Sequence, residues 1–145
     1  GIDLVKEQIR IAGGEILKYK QKDIEFRGHS IECRINAENP NKNFMPSPGL
    51  IKEINLPGGN GIRIDTAIYS GYTIPPYYDS MIAKIIVHGT NRNEAISKMK
   101  RALEELVIDG VDTNRDFLFD IIRNPNFIRG KYDTSFIEEE IIKWL

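Results

Sequence analysis

The residues best suited to chemistry lie in one short stretch. From Ser30 to Glu38 polar and apolar side chains alternate. Ser30, Glu32, Arg34, Asn36 and Glu38 point one way, and Ile31, Cys33, Ile35 and Ala37 the other. Two carboxylates, a carboxamide and a guanidinium therefore share one face of a strand. An arginine is always charged and can fork two donors at one oxygen, which suits it to an anion that develops during a reaction. Glu32, Asn36 and Glu38 could hold such an arginine still. By residue type alone, the comb also reads as the solvated outer face of an antiparallel sheet, with Arg34 paired to Glu32 or Glu38. A second string, P-P-Y-Y-D-S-M from Pro75 to Met81, contributes Tyr77, Tyr78 and Asp79. Asp79 either faces a cleft or accepts from the N–H groups of its own turn. The two tyrosines read as packing residues beside Pro-Pro. Lys84 interrupts an apolar run, which calls for a structural ion pair.

Other apparent signals carry no chemistry. Gly58-Gly59-Asn60-Gly61 looks like a phosphate-cradling loop, yet it precedes a strand and has no following lysine, so a hairpin turn is expected. His29 and His88 lack neighbouring ligands at metal-binding spacing, and no metal site is implied. Cys33 is the single cysteine; it sits on the apolar side of the strand and reads as a small core residue in a reducing setting.

The periodicities supply the elements that position these groups. Ile2, Val5, Ile9 and Ala12 recur at helical spacing, closed by Gly13-Gly14. A polar connector, Tyr19 to Gly28, leads into the strand above. Further strands are expected over Leu50 to Leu56 and Gly61 to Ala67, and Tyr72 to Ile74 leads into Pro75-Pro76. Ser80 to His88 is nearly all apolar, as for a central strand buried on both faces. Asn91 and Glu94 form a capping pair before the stripe Ala95, Ile96, Met99, Ala102, Leu103 and Leu106, which stops at Asp109-Gly110. Thr113 and Asp116 cap a helix bearing Phe117, Leu118, Ile121 and Ile122, ended by Asn124-Pro125. A last helix begins at Asp133 or Thr134 and carries Phe136, Ile137, Ile141 and Trp144. Strands first and helices after, without alternation, means α+β: an antiparallel sheet over Gly28–Gly89 with helices packed on it.

The 145 residues fit one domain, and 20 basic against 21 acidic side chains leave no field for nucleic acid or an anionic membrane. No stretch reaches the length of a membrane span. The chain opens on Gly1, without Met, in a pattern already helical, and is expected to be the cut end of something longer.

Several ordered strings resemble one family. E-C-R-I-N-A-E at 32–38, F-M-P-S-P-G at 44–49 and G-Y-T-I-P-P-Y-Y-D-S-M-I-A-K at 71–84 are similar to the C-terminal domain of biotin carboxylase. That enzyme is the ATP-dependent component of acetyl-CoA, propionyl-CoA and pyruvate carboxylases. The likeness continues through L-P-G-G-N-G-I-R at 56–63 and M-K-R-A-L-E-E-L-V-I-D-G-V-D-T-N at 99–114. Two strings, E-C-R-I-N-A-E and P-P-Y-Y-D-S, fit poorly with other ATP-grasp relatives such as a purine-pathway carboxylase or carbamoyl phosphate synthetase.

The resemblance implies the C-terminal domain of an ATP-grasp carboxylase, 1–145 forming one domain and the ATP-grasp part lying upstream. Arg34 falls on the family's catalytic arginine, which steadies the anion formed when biotin's ureido nitrogen loses its proton. Glu32, Asn36, Glu38 and Asp79 become its supporting or substrate-binding neighbours, while Asn60 and Arg63 lie near the dimer contact. ATP and Mg would bind the ATP-grasp part. Biotin would arrive on a biotin carboxyl carrier protein and pass its carboxyl group to a carboxyltransferase subunit, in a cytoplasmic homodimer. The 145 residues alone would be inactive, and no particular carboxyl acceptor is implied. A different reading is a non-catalytic module for dimerisation and carrier docking.

Overall fold

The computed structural model describes residues 1–141. Helix α1 spans Leu4–Ala12, with the Asp3 side chain capping its first turn. Strand β1 is His29–Asn36, followed by the short strands β2 (Glu38–Asn39), β3 (Met45–Pro46), β4 (Gly49–Leu50) and β5 (Glu53–Asn55). Next come β6 (Ile62–Thr66), β7 (Thr73–Ile74) and the longest strand, β8 (Met81–Gly89). Helix α2 (Arg92–Glu105), strand β9 (Val107–Asp109) and helices α3 (Arg115–Arg123) and α4 (Pro125–Ile128) complete the order, before a π-helical turn at Ile137–Ile141. The architecture is α+β, and every strand pair is antiparallel.

The main sheet is three-stranded, in the order β1-β8-β6. Its inner face follows from the alternation in β1. Cys33 lies opposite Ile85, itself opposite Ile64, and the next row joins Ile31, Val87 and Ile62. Helix α2 lies across this face and buries Ala95, Ile96, Met99, Ala102 and Leu103 against it. Fully burying a side chain such as Leu103 is worth roughly 1.5–3 kcal/mol. The start of α2 is held by its cap: Asn91 Oδ1 accepts from the Glu94 N–H at 3.0 Å, and Glu94 Oε2 accepts from the Thr90 N–H at 2.8 Å.

Several expectations are corrected. Beyond Ile82, strand β8 is buried on one face only: Ala83, Ile85 and Val87 are buried, while Lys84 and Ile86 are half-buried and His88 is exposed. Among the described residues, no helix packs on its outer face. The run at 50–56 is not one strand, because the chain changes partner within it. Ile51 N–H donates to Tyr72 O at 2.9 Å and Lys52 N–H to Asp109 O at 2.8 Å, so β4 pairs with β7 and β5 with β9. Accordingly α2 stops at Glu105, short of Asp109-Gly110, and the β-branched pair Val107-Ile108 joins β9. Gly110 is required there: at φ +107°, a Cβ would lie 2.1 Å from Leu50 O. Helix α3 is preceded by Asn114, and Thr113 and Asp116 do not form its cap. Helix α1 ends before Gly13 as expected but begins at Leu4, after Ile2; Leu4, Val5 and Ile9 are exposed, and the side chain it buries is Glu7, paired with Arg10 at 2.6 Å. In the last segment Asp133 Oδ1 accepts from the Ser135 N–H and hydroxyl, ahead of the π-helical turn; Trp144 lies outside the described residues.

Candidate functional site

The comb of β1 stands on the outer face of the main sheet. Pairing sets Arg34 beside Lys84 and Lys84 beside Asp65; one row on, Glu32, Ile86 and Arg63 line up. Arg34 Nε donates to Glu32 Oε1 at 3.2 Å, and 64% of the Arg34 side chain is exposed. Its two terminal nitrogens bond to no other described residue. Arg63 differs: Nε and Nη2 both donate to Asp65, each at 2.8 Å. That bidentate bond holds the Asp65 carboxyl below the usual carboxylate range, with Lys84 adding a smaller push. Lys84 is half-buried on this face and makes no ion pair among the described residues, in place of the structural pair expected.

The remaining comb residues serve the far end of β1. Glu38 Oε1 accepts from the Ser80 hydroxyl and from Asn36 Nδ2, so Glu38 and Asn36 hold each other, and neither side chain bonds to that of Arg34. Ala37 N–H donates to Ser80 O at 2.8 Å, tying the exit of β1 to the loop after Pro75-Pro76. Asp79 Oδ1 accepts from the Met81 N–H at 3.0 Å, and the turn-capping alternative is the one observed. Tyr77 and Tyr78 are exposed, not packed as expected. A small cavity of about 80 Å³ lies among Ala37, Pro46, Ile74, Tyr78 and Asp79. A wider one, about 480 Å³, lies between Asn39, Val107, Asp112 and the start of α3 and includes none of the predicted site residues.

Behind Arg34, Cys33 is buried, and its thiol is pushed up to about 12 by burial first and by the Glu32 charge second. A thiol so protonated is no nucleophile near neutral pH. Asn60 is in the exposed turn before β6, but the turn closes no hairpin: β5 pairs with β9 and β6 with β8, in place of the hairpin expected. His88 Nε2 meets Arg27 O at 2.9 Å and His29 Nε2 meets Arg92 Nη1 at 3.2 Å. Among the described residues, no three His, Cys, Asp or Glu side chains gather as a metal site would require, and no helix is long and apolar enough to cross a membrane. Sequence reasoning missed two residues that bear on β1. Ser80 grips Glu38, and Asn114 bonds the backbone of β1. The Thr-Asn pair before α3 was the available signal, and it reads as an ordinary helix start.

Residues 32–139 match the family model of the biotin carboxylase C-terminal domain. The chain belongs to this family. It is 57% identical over 138 residues to biotin carboxylase 1 of Bacillus subtilis, covering 95% of this chain and 31% of that protein. To the biotin carboxylase of Pseudomonas aeruginosa it is 48% identical over 141 residues, covering 97% of this chain and 31% of the relative. Among solved structures, the biotin carboxylase domain dimer of Hydrogenobacter thermophilus 2-oxoglutarate carboxylase, in complex with MgADP, ADP and bicarbonate, superposes with a TM-score of 0.89 at 51% identity. That match covers 95% of this chain and 30% of the other. The chain thus spans about a third of the length of these biotin carboxylase relatives.

Proposed function

We propose that this domain works within a biotin carboxylase, which carboxylates biotin on a carrier protein at the expense of ATP and bicarbonate, and that Arg34 is its catalytic residue. The observation that carries this reading is the contrast between two arginines on one sheet face. Asp65 occupies the fork of Arg63, whereas Arg34 is steadied through Nε alone and keeps both Nη groups available. A ureido N–H is barely acidic. As its proton leaves, charge collects on the ureido oxygen, and a preset guanidinium stabilises that oxygen more than it does the neutral ring. Glu32 limits the rotamers of Arg34 without closing its fork. Glu38, Asn36 and Asp79 support the end of β1 and the loop beside it.

ATP and its Mg bind outside these residues, on the ATP-grasp part, and supply the activation of bicarbonate. Residues 1–145 act as one domain in a cytoplasmic homodimer, with Asn60 and Arg63 near the two-fold contact. The partners are a biotin carboxyl carrier protein and a carboxyltransferase subunit.

The test is kinetic, on the intact carboxylase. Arg34→Gln is expected to lower turnover in biotin carboxylation by ~10²–10³ while the KM for ATP stays near its starting value. A raised ATP KM with turnover intact would make Arg34 a nucleotide or structural residue and sink the assignment.

A further inference from the structure

Strand β1 is an edge strand of the main sheet. At Arg34 and Asn36 its backbone polar groups face away from β8, toward the side where a further strand would pair. No strand is there among the described residues. Asn114 takes its place: Oδ1 accepts from the Asn36 N–H at 2.9 Å, Nδ2 donates to Arg34 O at 3.1 Å, and the Asn114 N–H donates to Asn36 O at 3.1 Å. A carboxamide copies the peptide group, one donor and one acceptor side by side, so a single side chain acts as the missing strand. The backbone groups also fix which end is which, since a carbonyl only accepts and an N–H only donates. Asn114 is 8% exposed, and it would leave these strand groups unpaired if removed.

The location matters. On the other side of β1, the register with β8 shifts between Ile35 and Asn36, so the regular ladder gives way one residue beyond Arg34. The carboxamide holds β1 where β8 lets go, and any rotation of the backbone at that point is magnified at the end of the long Arg34 side chain. We infer that Asn114 is a positioning residue: it sets the aim of the Arg34 guanidinium by clamping the Arg34 carbonyl and the Asn36 amide. This rests on the catalytic reading of Arg34.

Two variants test it in the intact carboxylase. Asn114→Ala removes both bonds. Asn114→Asp keeps size and the acceptor for Asn36, but turns an oxygen toward the Arg34 carbonyl. Both are expected to lower turnover with biotin about 10–100-fold, the range for losing a group that orients a catalytic one, with the KM for ATP hardly changed. In Asn114→Ala, amide exchange at Asn36 should quicken while the α2 amides keep their protection. On an Arg34→Gln background, Asn114→Asp should cost nothing more. Full activity in the Asp variant, an Asn36 amide that exchanges as before in the Ala variant, or losses that multiply in the double variant would each overturn the clamp. Should Arg34→Gln itself retain turnover, the catalytic reading fails, and a quickened Asn36 amide would then show Asn114 clamping a strand without catalytic purpose. If Arg34→Gln is slow and the Asn114 variants are fast, only the clamp fails.

Discussion

Arg34 and Arg63 stand on neighbouring rows of one sheet face with the same charge, yet they are chemically unlike. The fork of Arg63 is spent on Asp65; that of Arg34 is not. Charge alone cannot replace such a fork, because an ammonium is a point donor on a flexible stem. Arg34→Lys in the intact carboxylase is therefore expected to recover little of the turnover lost in Arg34→Gln. Recovery of most of it would mean that position 34 acts as a bare positive charge. At this scale the sequence was partly legible. The alternation that put Cys33 inward and Arg34 outward holds, because a buried face leaves a strand no freedom of register. The roles of Asn36 and Glu38 were not legible. They bond to each other and, through Glu38, to Ser80, 42 residues away, and no local pattern announces such a partner. Asn114 escaped for the same reason, at a separation of 78 residues from Asn36.

Among the elements, α2 read most clearly and its end least. Its stripe and cap are local, whereas its last turn competes with β9 for the residues after Leu106, and β5 decides that contest from far upstream in the chain. Two predictions belong here. Glu94 is held at about 2, from an ordinary 4.5, mainly by the Thr90 hydroxyl and then by Lys98. A depressed carboxyl stabilises the fold above its ordinary range and loses that contribution as pH falls through its folded value. Thermal melts of Glu94→Gln should show a lowered Tm at neutral pH, with the gap to the parent closing between 4.5 and about 2. A gap independent of pH would refer the effect to shape and not to charge. Leu103 is almost wholly buried under the sheet, while Ile86 is half-buried on the open face. Leu103→Ala is expected to cost about 2–5 kcal/mol in urea unfolding of the 145-residue chain, and Ile86→Ala distinctly less. Equal costs would mean that the outer face is covered after all.

For the whole molecule, the open face of the main sheet carries Arg63 next to the proposed two-fold contact. Arg63→Glu sets a second carboxylate beside Asp65 and reverses the charge on that face. Sedimentation of the intact protein should show a weakened dimer; an unchanged dimer constant would remove this turn and strand from the contact.

Helix α1 bears on how such measurements are made. Leu4, Val5 and Ile9 are exposed, and Phe26, just before β1, is 97% exposed. Bare aliphatic and aromatic side chains over residues 1–26 make a sticky segment. Studied alone, the 145-residue chain is expected to light up hydrophobic dyes while fully folded, to recruit chaperones and to clump as its concentration rises. Light scattering from that material would report the greasy leading helix, and says nothing about the two-fold axis of the carboxylase.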